Sequence, residues 1–190
     1  VKADGTLGTG KVFFDVTSVF TVVEAGFVDL PGITKGDSRG DWWTFWQAQY
    51  VYVAGTDSGL LVVDAPNPAD PQYVTTIATG DLAGVSPAQV FATGNLLVLM
   101  EAQGRGLATL DIANPRAPRL LRHIEAKSGY SNIFAGPGLI LTSGNIPPRV
   151  TVTQVEANGS MTELRTFGFV ANSGGYGSWQ DGFFHTGFSD

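Results

Sequence analysis

At 190 residues, with 43% hydrophobic and only 15% charged side chains, the chain is long enough for one substantial core and too apolar to be a disordered tail. Its 25 glycines and 10 prolines beside so little charge describe many tight turns between short apolar runs, the profile of all-β architecture. A net charge of −6 with no Lys/Arg cluster argues against a nucleic-acid partner, no stretch approaches the roughly 18 apolar residues of a membrane-spanning helix, and the absence of cysteine removes disulfides, thiolate metal sites and cysteine nucleophiles.

The chain opens on Val1-Lys2-Ala3-Asp4 with no initiator Met, basic n-region or apolar h-region, so its start reads as an internal or processed end. Residues 1–41 form an irregular N-terminal β segment, and the polar, Gly-rich stretch Lys35 to Asp41 reads as the loop joining it to the regular blades. Beyond that loop the sequence repeats. Gly59 to Ile77 aligns without gaps onto Gly106 to Ile124, keeping Gly, Leu, Asp, Asn, Pro, Pro and Ile in register, 7 identities in 19 positions, where composition alone gives about one or two. An aromatic marker, Trp46, Phe91, Phe134 and Trp179, recurs at intervals of 45, 43 and 45 residues, and these four are expected at equivalent positions. Each unit reads as an aromatic strand, a short turn, a second apolar strand, a Gly-containing hairpin, a third strand ending in Asp, a turn and a fourth strand. In the first unit the strands are Trp43 to Gln47, Tyr50 to Ala54, Leu60 to Asp64 and Tyr73 to Ile77.

A period near 45 with four strands per unit predicts an all-β propeller of antiparallel four-stranded blades, with very little helix. The blades are expected at about 42–84, 85–129 and 130–176, with a further blade starting at 177–190. That count predicts an incomplete or partial ring. An open edge would be completed by more of the same chain or by a neighbouring subunit; alternatively, Lys11 to Val16 and Val19 to Val23 would pair with the strand around Phe183 and close four blades on themselves. In the segment Asp-x-x-Asn-Pro-x-x-Pro, Asp64 and Asp111 are expected to accept backbone N–H bonds in their own turns while the prolines stop the strand.

The strings Tyr50 to Pro71 and Gly106 to Pro118 resemble the LVIVD repeat. The resemblance covers roughly residues 43–125 and weakens in the third unit, where Val150 to Val155 lacks the closing Asp and Asn158-Gly159 makes the turn. It implies a β-propeller that is periplasmic, secreted or at the surface of a bacterial or archaeal cell, and carries no catalytic residues. Ala3 to Asp15 is similar to a segment of gluconolactonase-like propellers, which implies a metal-dependent lactonase as the rival reading.

Chemistry-bearing residues are sparse. His123 and His185 fall in different units without the converging partners a metal site needs. A lactonase-type site would gather carboxylate and amide ligands at the ring centre, for which Glu24, Asp57, Asn132 and Asn145 are the candidates, although their spacing does not select them. No Gly-x-Ser-x-Gly elbow is present. Thr56 to Gly59, Ser173 to Gly175 and Gly104-Arg105-Gly106 read as hairpin turns, Arg39-Gly40-Asp41 as loop residues, and Asn158-Gly159-Ser160 as a turn that matches a glycosylation sequon by pattern only.

The cluster Trp42, Trp43, Phe45 and Trp46 puts aromatic rings on both faces of one strand. Trp43 and Phe45 face one way and Trp42, Thr44 and Trp46 the other, so that one side packs between blades. The function expected is that of a non-catalytic binding or scaffold propeller with a protein or carbohydrate partner, using Trp42, Trp43, Asp57, Arg105 and Asn145. No metal, cofactor, nucleic acid or membrane insertion is expected.

Overall fold

A computed structural model describes residues 10–18, 21–33, 43–102, 106–125, 132–136, 138–145, 148–168, 177–180 and 183–186. Its strands are β1 (Gly10–Ser18), β2 (Thr21–Asp29), β3 (Thr44–Gln47), β4 (Tyr50–Ala54), β5 (Leu60–Asp64), β6 (Gln72–Ile77), β7 (Pro87–Thr93) and β8 (Leu96–Glu101). They continue as β9 (Gly106–Asp111), β10 (Arg119–Glu125), β11 (Asn132–Gly136), β12 (Leu139–Asn145), β13 (Pro148–Val155), β14 (Met161–Gly168), β15 (Gly177–Gln180) and β16 (Phe183–Thr186). The described residues include short 3-10 turns at Thr56–Ser58 and Thr79–Leu82, and no helix among them is long and apolar enough to cross a membrane.

Three antiparallel sheets, β3-β4-β5-β6, β7-β8-β9-β10 and β11-β12-β13-β14, are the blades, flanked by two hairpins, β1-β2 and β15-β16. The first strands converge: β3 lies beside β7, β7 beside β11 and β11 beside β15, while β2 lies beside the outermost strand β6. The chain is thus a β-propeller in partial ring, with inner strands toward the axis. The β1-β2 and β15-β16 hairpins pair only within themselves among the described strands.

The middle strands read as unbroken apolar runs because both of their faces are covered by neighbouring blades. Along β4 and β5 the alternation is resolved by destination: Val51, Val53, Leu61 and Val63 pack with Val28, Leu30 and Ile33, whereas Tyr52, Ala54, Leu60 and Val62 pack toward blade 2. Blade 2 repeats the division, with Leu97 and Leu99 turned toward blade 1, and Leu96, Val98 and Met100 toward Ile140 and Val155 of blade 3. Each buried aliphatic side chain contributes roughly 1.5–3 kcal/mol. The core is therefore a series of inter-blade layers.

Every outer strand carries a bulge at the same place. One residue is left unpaired at Ala25, Val74, Leu121 and Leu164, 49, 47 and 43 residues apart. The β1-β2 hairpin, which lies outside the sequence period, therefore has the geometry of a blade's outer pair. Gly59 and Gly106 occupy one repeat position, and a Cβ on either would run into a carbonyl of the adjoining outer strand, that of Ile77 or Ile124.

The register corrects the aromatic marker. Counted from the two-residue turns, Phe91 and Phe134 match Phe45, whereas Trp46 and Trp179 stand one residue further on. All four lie on first strands, but one residue reverses the face a side chain presents. Accordingly Phe45 and Trp43 stack on Phe91 with ring centroids 5.1 and 6.1 Å apart, while Trp46 turns to the opposite face, remains 48% exposed and donates its indole N–H to the Ala48 carbonyl at 2.8 Å.

Candidate functional site

The blades present two ends. One carries the connections between second and third strands and between successive blades. At this end Ser86, at the start of blade 2, donates its hydroxyl to Asp57 Oδ1 at 2.8 Å, and Ser58 donates to the Gly32 carbonyl at 2.8 Å. The Thr56–Ser58 turn thus ties blade 1 to the segments on both sides of it. Trp43 precedes β3 at the same end, half-buried against Phe91. Asn145 closes β12 opposite Pro148, its side chain outside the described residues, and Trp42 and Arg105 also lie outside them.

Of the lactonase candidates, the side chains of Asn132 and Asn145 lie outside the described residues. Glu24 is exposed on β2, an outer strand on the side of the sheets away from the axis, whereas Asn132 begins the inner strand β11 and Asp57 sits on an end connection. No group of three or more His, Cys, Asp or Glu able to hold a metal ion occurs among the described residues. His123 lies beside Gly106, with Nε2 3.7 Å from Glu101 Oε2, and the side chain of His185 is outside the described residues.

The opposite end carries the tight hairpin turns and the Asp-x-x-Asn-Pro segments. Both asparagines staple their turns, the Asn67 and Asn114 side chains accepting the N–H of Ala69 at 3.1 Å and of Arg116 at 3.2 Å. The two aspartates differ. Asp111 Oδ1 accepts the Ala113 backbone N–H at 2.9 Å as expected, with Arg119 on Oδ2 at 3.0 Å; that N–H first, and Arg119 second, hold its carboxyl below the ordinary range. Asp64 takes side-chain partners instead: Gln49 Nε2 at 2.8 Å on Oδ1, and Arg116 Nη1, from the following blade, at 2.6 Å on Oδ2. The expectation of a backbone bond is thus corrected for Asp64, because the next blade supplies a guanidinium where Asp111 relies on its own turn.

That difference opens a site. Between blades 1 and 2 the junction is closed by Arg116 on Asp64 and by Gln47 Nε2 on the Gly94 carbonyl at 2.7 Å. Between blades 2 and 3, strand register puts Gly159 in the place of Arg116. A Cβ there would sit 2.6 Å from Leu121 Cβ and from Thr109 Oγ1, and φ is +80°. Glycine lets the turn dock directly on blade 2, where its carbonyl accepts the Thr109 hydroxyl at 2.8 Å, but it sends no side chain toward Asp111.

A cleft of about 440 Å³ remains, with an apolar wall of Leu96, Leu121 and Val155, polar Thr93 and Asn95, and carboxylates from Asp111 and Glu156. Its volume is that of a small-ligand or side-chain pocket. Among the described residues, neither Trp43 nor Asp57, expected from the sequence as site residues, lines this cleft. The signal was present in the equal spacing of the two turns, which sets Gly159 against Arg116, but only pairing shows that these positions face the preceding blade.

Comparison with known proteins agrees with this architecture. Residues 47–79 match the LVIVD repeat. Saccharomyces cerevisiae Sqt1 superposes with a TM-score of 0.55 at 13% identity, over 70% of this chain and 36% of that one. A Bacteroides uniformis protein assigned as a 6-phosphogluconolactonase superposes with a TM-score of 0.58 at 13% identity, over 73% of this chain and 43% of that one. At that identity the likeness is one of fold. No curated protein matches the sequence.

Proposed function

We propose that the chain is a non-catalytic binding propeller whose cleft between blades 2 and 3 receives a basic side chain of a protein partner. One observation carries this reading: at the equivalent junction the protein's own Arg116 guanidinium lies on Asp64, and at the next junction the matching aspartate lines an open cleft with Glu156 while glycine replaces the arginine. Arg119 balances Asp111, leaving Glu156 as the excess charge, and the apolar wall suits the methylene stem of an arginine. The resemblance to the LVIVD repeat supports an extracytoplasmic setting, which cell fractionation would test.

The experiment is an NMR titration of the chain with Nα-acetyl-arginine amide and with its neutral citrulline analogue. Shifts at Leu96, Leu121 and Glu156 with the arginine compound, weakened by salt and by Glu156→Gln, are expected. Equal shifts with citrulline, or none with either, would refute the proposal. Lactone hydrolysis by the purified chain with a divalent metal would replace it with the hydrolase reading.

A further inference from the structure

Blade 2 departs from its neighbours at two positions at once. Glu101 follows Met100 at the end of β8 as Gly55 follows Ala54 and Gly144 follows Ser143, and Met100, Ala54 and Ser143 pair at matching places with their third strands. His123, opposite Ala108, takes the place of Thr76, opposite Leu61, and of Thr166, opposite Thr151. Blades 1 and 3 thus hold a glycine with a threonine where blade 2 holds a carboxylate with an imidazole.

These two side chains meet across β9, on the face where Ala108 packs in the layer shared with blade 1. His123 Nε2 is 3.7 Å from Glu101 Oε2, and the side chains are 24% and 12% exposed. Gly106 lies between them: the point where its Cβ would stand is 2.6 Å from the Ile124 carbonyl oxygen, 2.8 Å from His123 Nε2 and 3.1 Å from Glu101 Oε2. Three donor atoms therefore converge on a space that glycine leaves open. Nε2 is buried there without a hydrogen-bond partner, whereas buried polar atoms ordinarily have one. The gap to Glu101 is too long for a hydrogen bond, but two bonds of about 2.1 Å, as zinc makes to imidazole nitrogen and carboxylate oxygen, span it at an angle of roughly 120°.

We propose that Glu101, His123 and the Ile124 carbonyl bind a divalent transition-metal cation of the zinc kind, with water completing its coordination. Imidazole nitrogen beside carboxylate oxygen suits such an ion better than calcium or magnesium, which take oxygen ligands. The set has two side chains rather than three, and it lies on the outer part of blade 2, at the end opposite the cleft. The cation ties the end of β8 to the outer strand β10 across β9, a staple in the blade that forms one wall of the cleft.

The test is equilibrium dialysis of the 190-residue chain against zinc chloride alone, with NMR of the histidine rings as a second readout. One zinc per chain is expected, with the His123 ring signals displaced and those of His185, the other histidine, unmoved. Glu101→Gln and His123→Thr are each expected to weaken uptake by roughly tenfold or more. His123→Thr installs the residue that blades 1 and 3 carry at this position, so its circular dichroism is expected to be unchanged, and the wild-type ring signals read the site whether or not a variant folds. No uptake, displacement of the His185 ring alone, or uptake unaffected by Glu101→Gln would each overturn the proposal.

Discussion

Alanine in place of Gly59 tests whether the repeated glycine is a matter of steric approach. Gly59 has φ +87°, and a Cβ on it would collide with the carbonyl of Ile77, which β5 and β6 hold in place through their pairing. Two other glycines separate the contributions. Gly84 has φ +83° with nothing within 4 Å of its Cβ position, whereas a Cβ on Gly106 would lie 2.6 Å from the Ile124 carbonyl and 2.8 Å from His123 Nε2 without a left-handed φ. A left-handed conformation costs a non-glycine residue about 1–2 kcal/mol, and the more restricted region that Gly59 occupies at φ +87° and ψ −155° about 1–3 kcal/mol, partly offset by about 0.4–1 kcal/mol of unfolded-state entropy. Forcing an atom into a packed layer costs about 1–3 kcal/mol. Gly84→Ala is therefore expected to lose about 1 kcal/mol, Gly106→Ala about 2, and Gly59→Ala about 3, a large share of a typical stability of about 5–15 kcal/mol. Urea unfolding followed by tryptophan fluorescence and circular dichroism reads all three. A cost for Gly59→Ala no greater than that for Gly84→Ala would refute the steric account, because the Ile77 carbonyl would then yield freely.

The cross-blade pair is expected to be a modest contributor: Arg116 is 56% exposed, so a double-mutant cycle with Arg116→Ala and Asp64→Asn should give a coupling of about 0.2–1 kcal/mol that shrinks at high salt. A coupling that is absent at low salt would remove this pair as a junction staple. Burial first, and the neighbouring Tyr50 second, push the Tyr52 phenol up to about 12. The unfolded chain ionises Tyr near pH 10, so the stability this proton carries is complete below about pH 10 and is lost as pH rises toward 12. Tyr52→Phe should flatten the fall of the urea midpoint across that range, and an unchanged alkaline slope would count against the assignment.

The residues themselves determined what depends on neighbours along the chain. Turn chemistry at Asn67-Pro68 and Asn114-Pro115, the glycines at 59 and 106, and the runs Tyr50 to Ala54 and Leu60 to Asp64 announce strand, turn and period because each acts within a few residues of itself. Tertiary structure decided whatever depends on register or on the next blade. The aromatic marker slipped by one at Trp46 and Trp179 because strand side chains alternate, and with aromatics on both faces no local pattern tells Phe45 from Trp46. The outer-half character of β1-β2 rests on a bulge that exists only in its pairing with its partner strand. Asp64 and Asp111 stand at aligned positions in near-identical turns, yet one is met by Arg116 from the following blade and the other lines a cleft faced by Gly159. The difference between a closed junction and an open site lies in residues a full repeat away in the chain, and only folding brings them opposite one another.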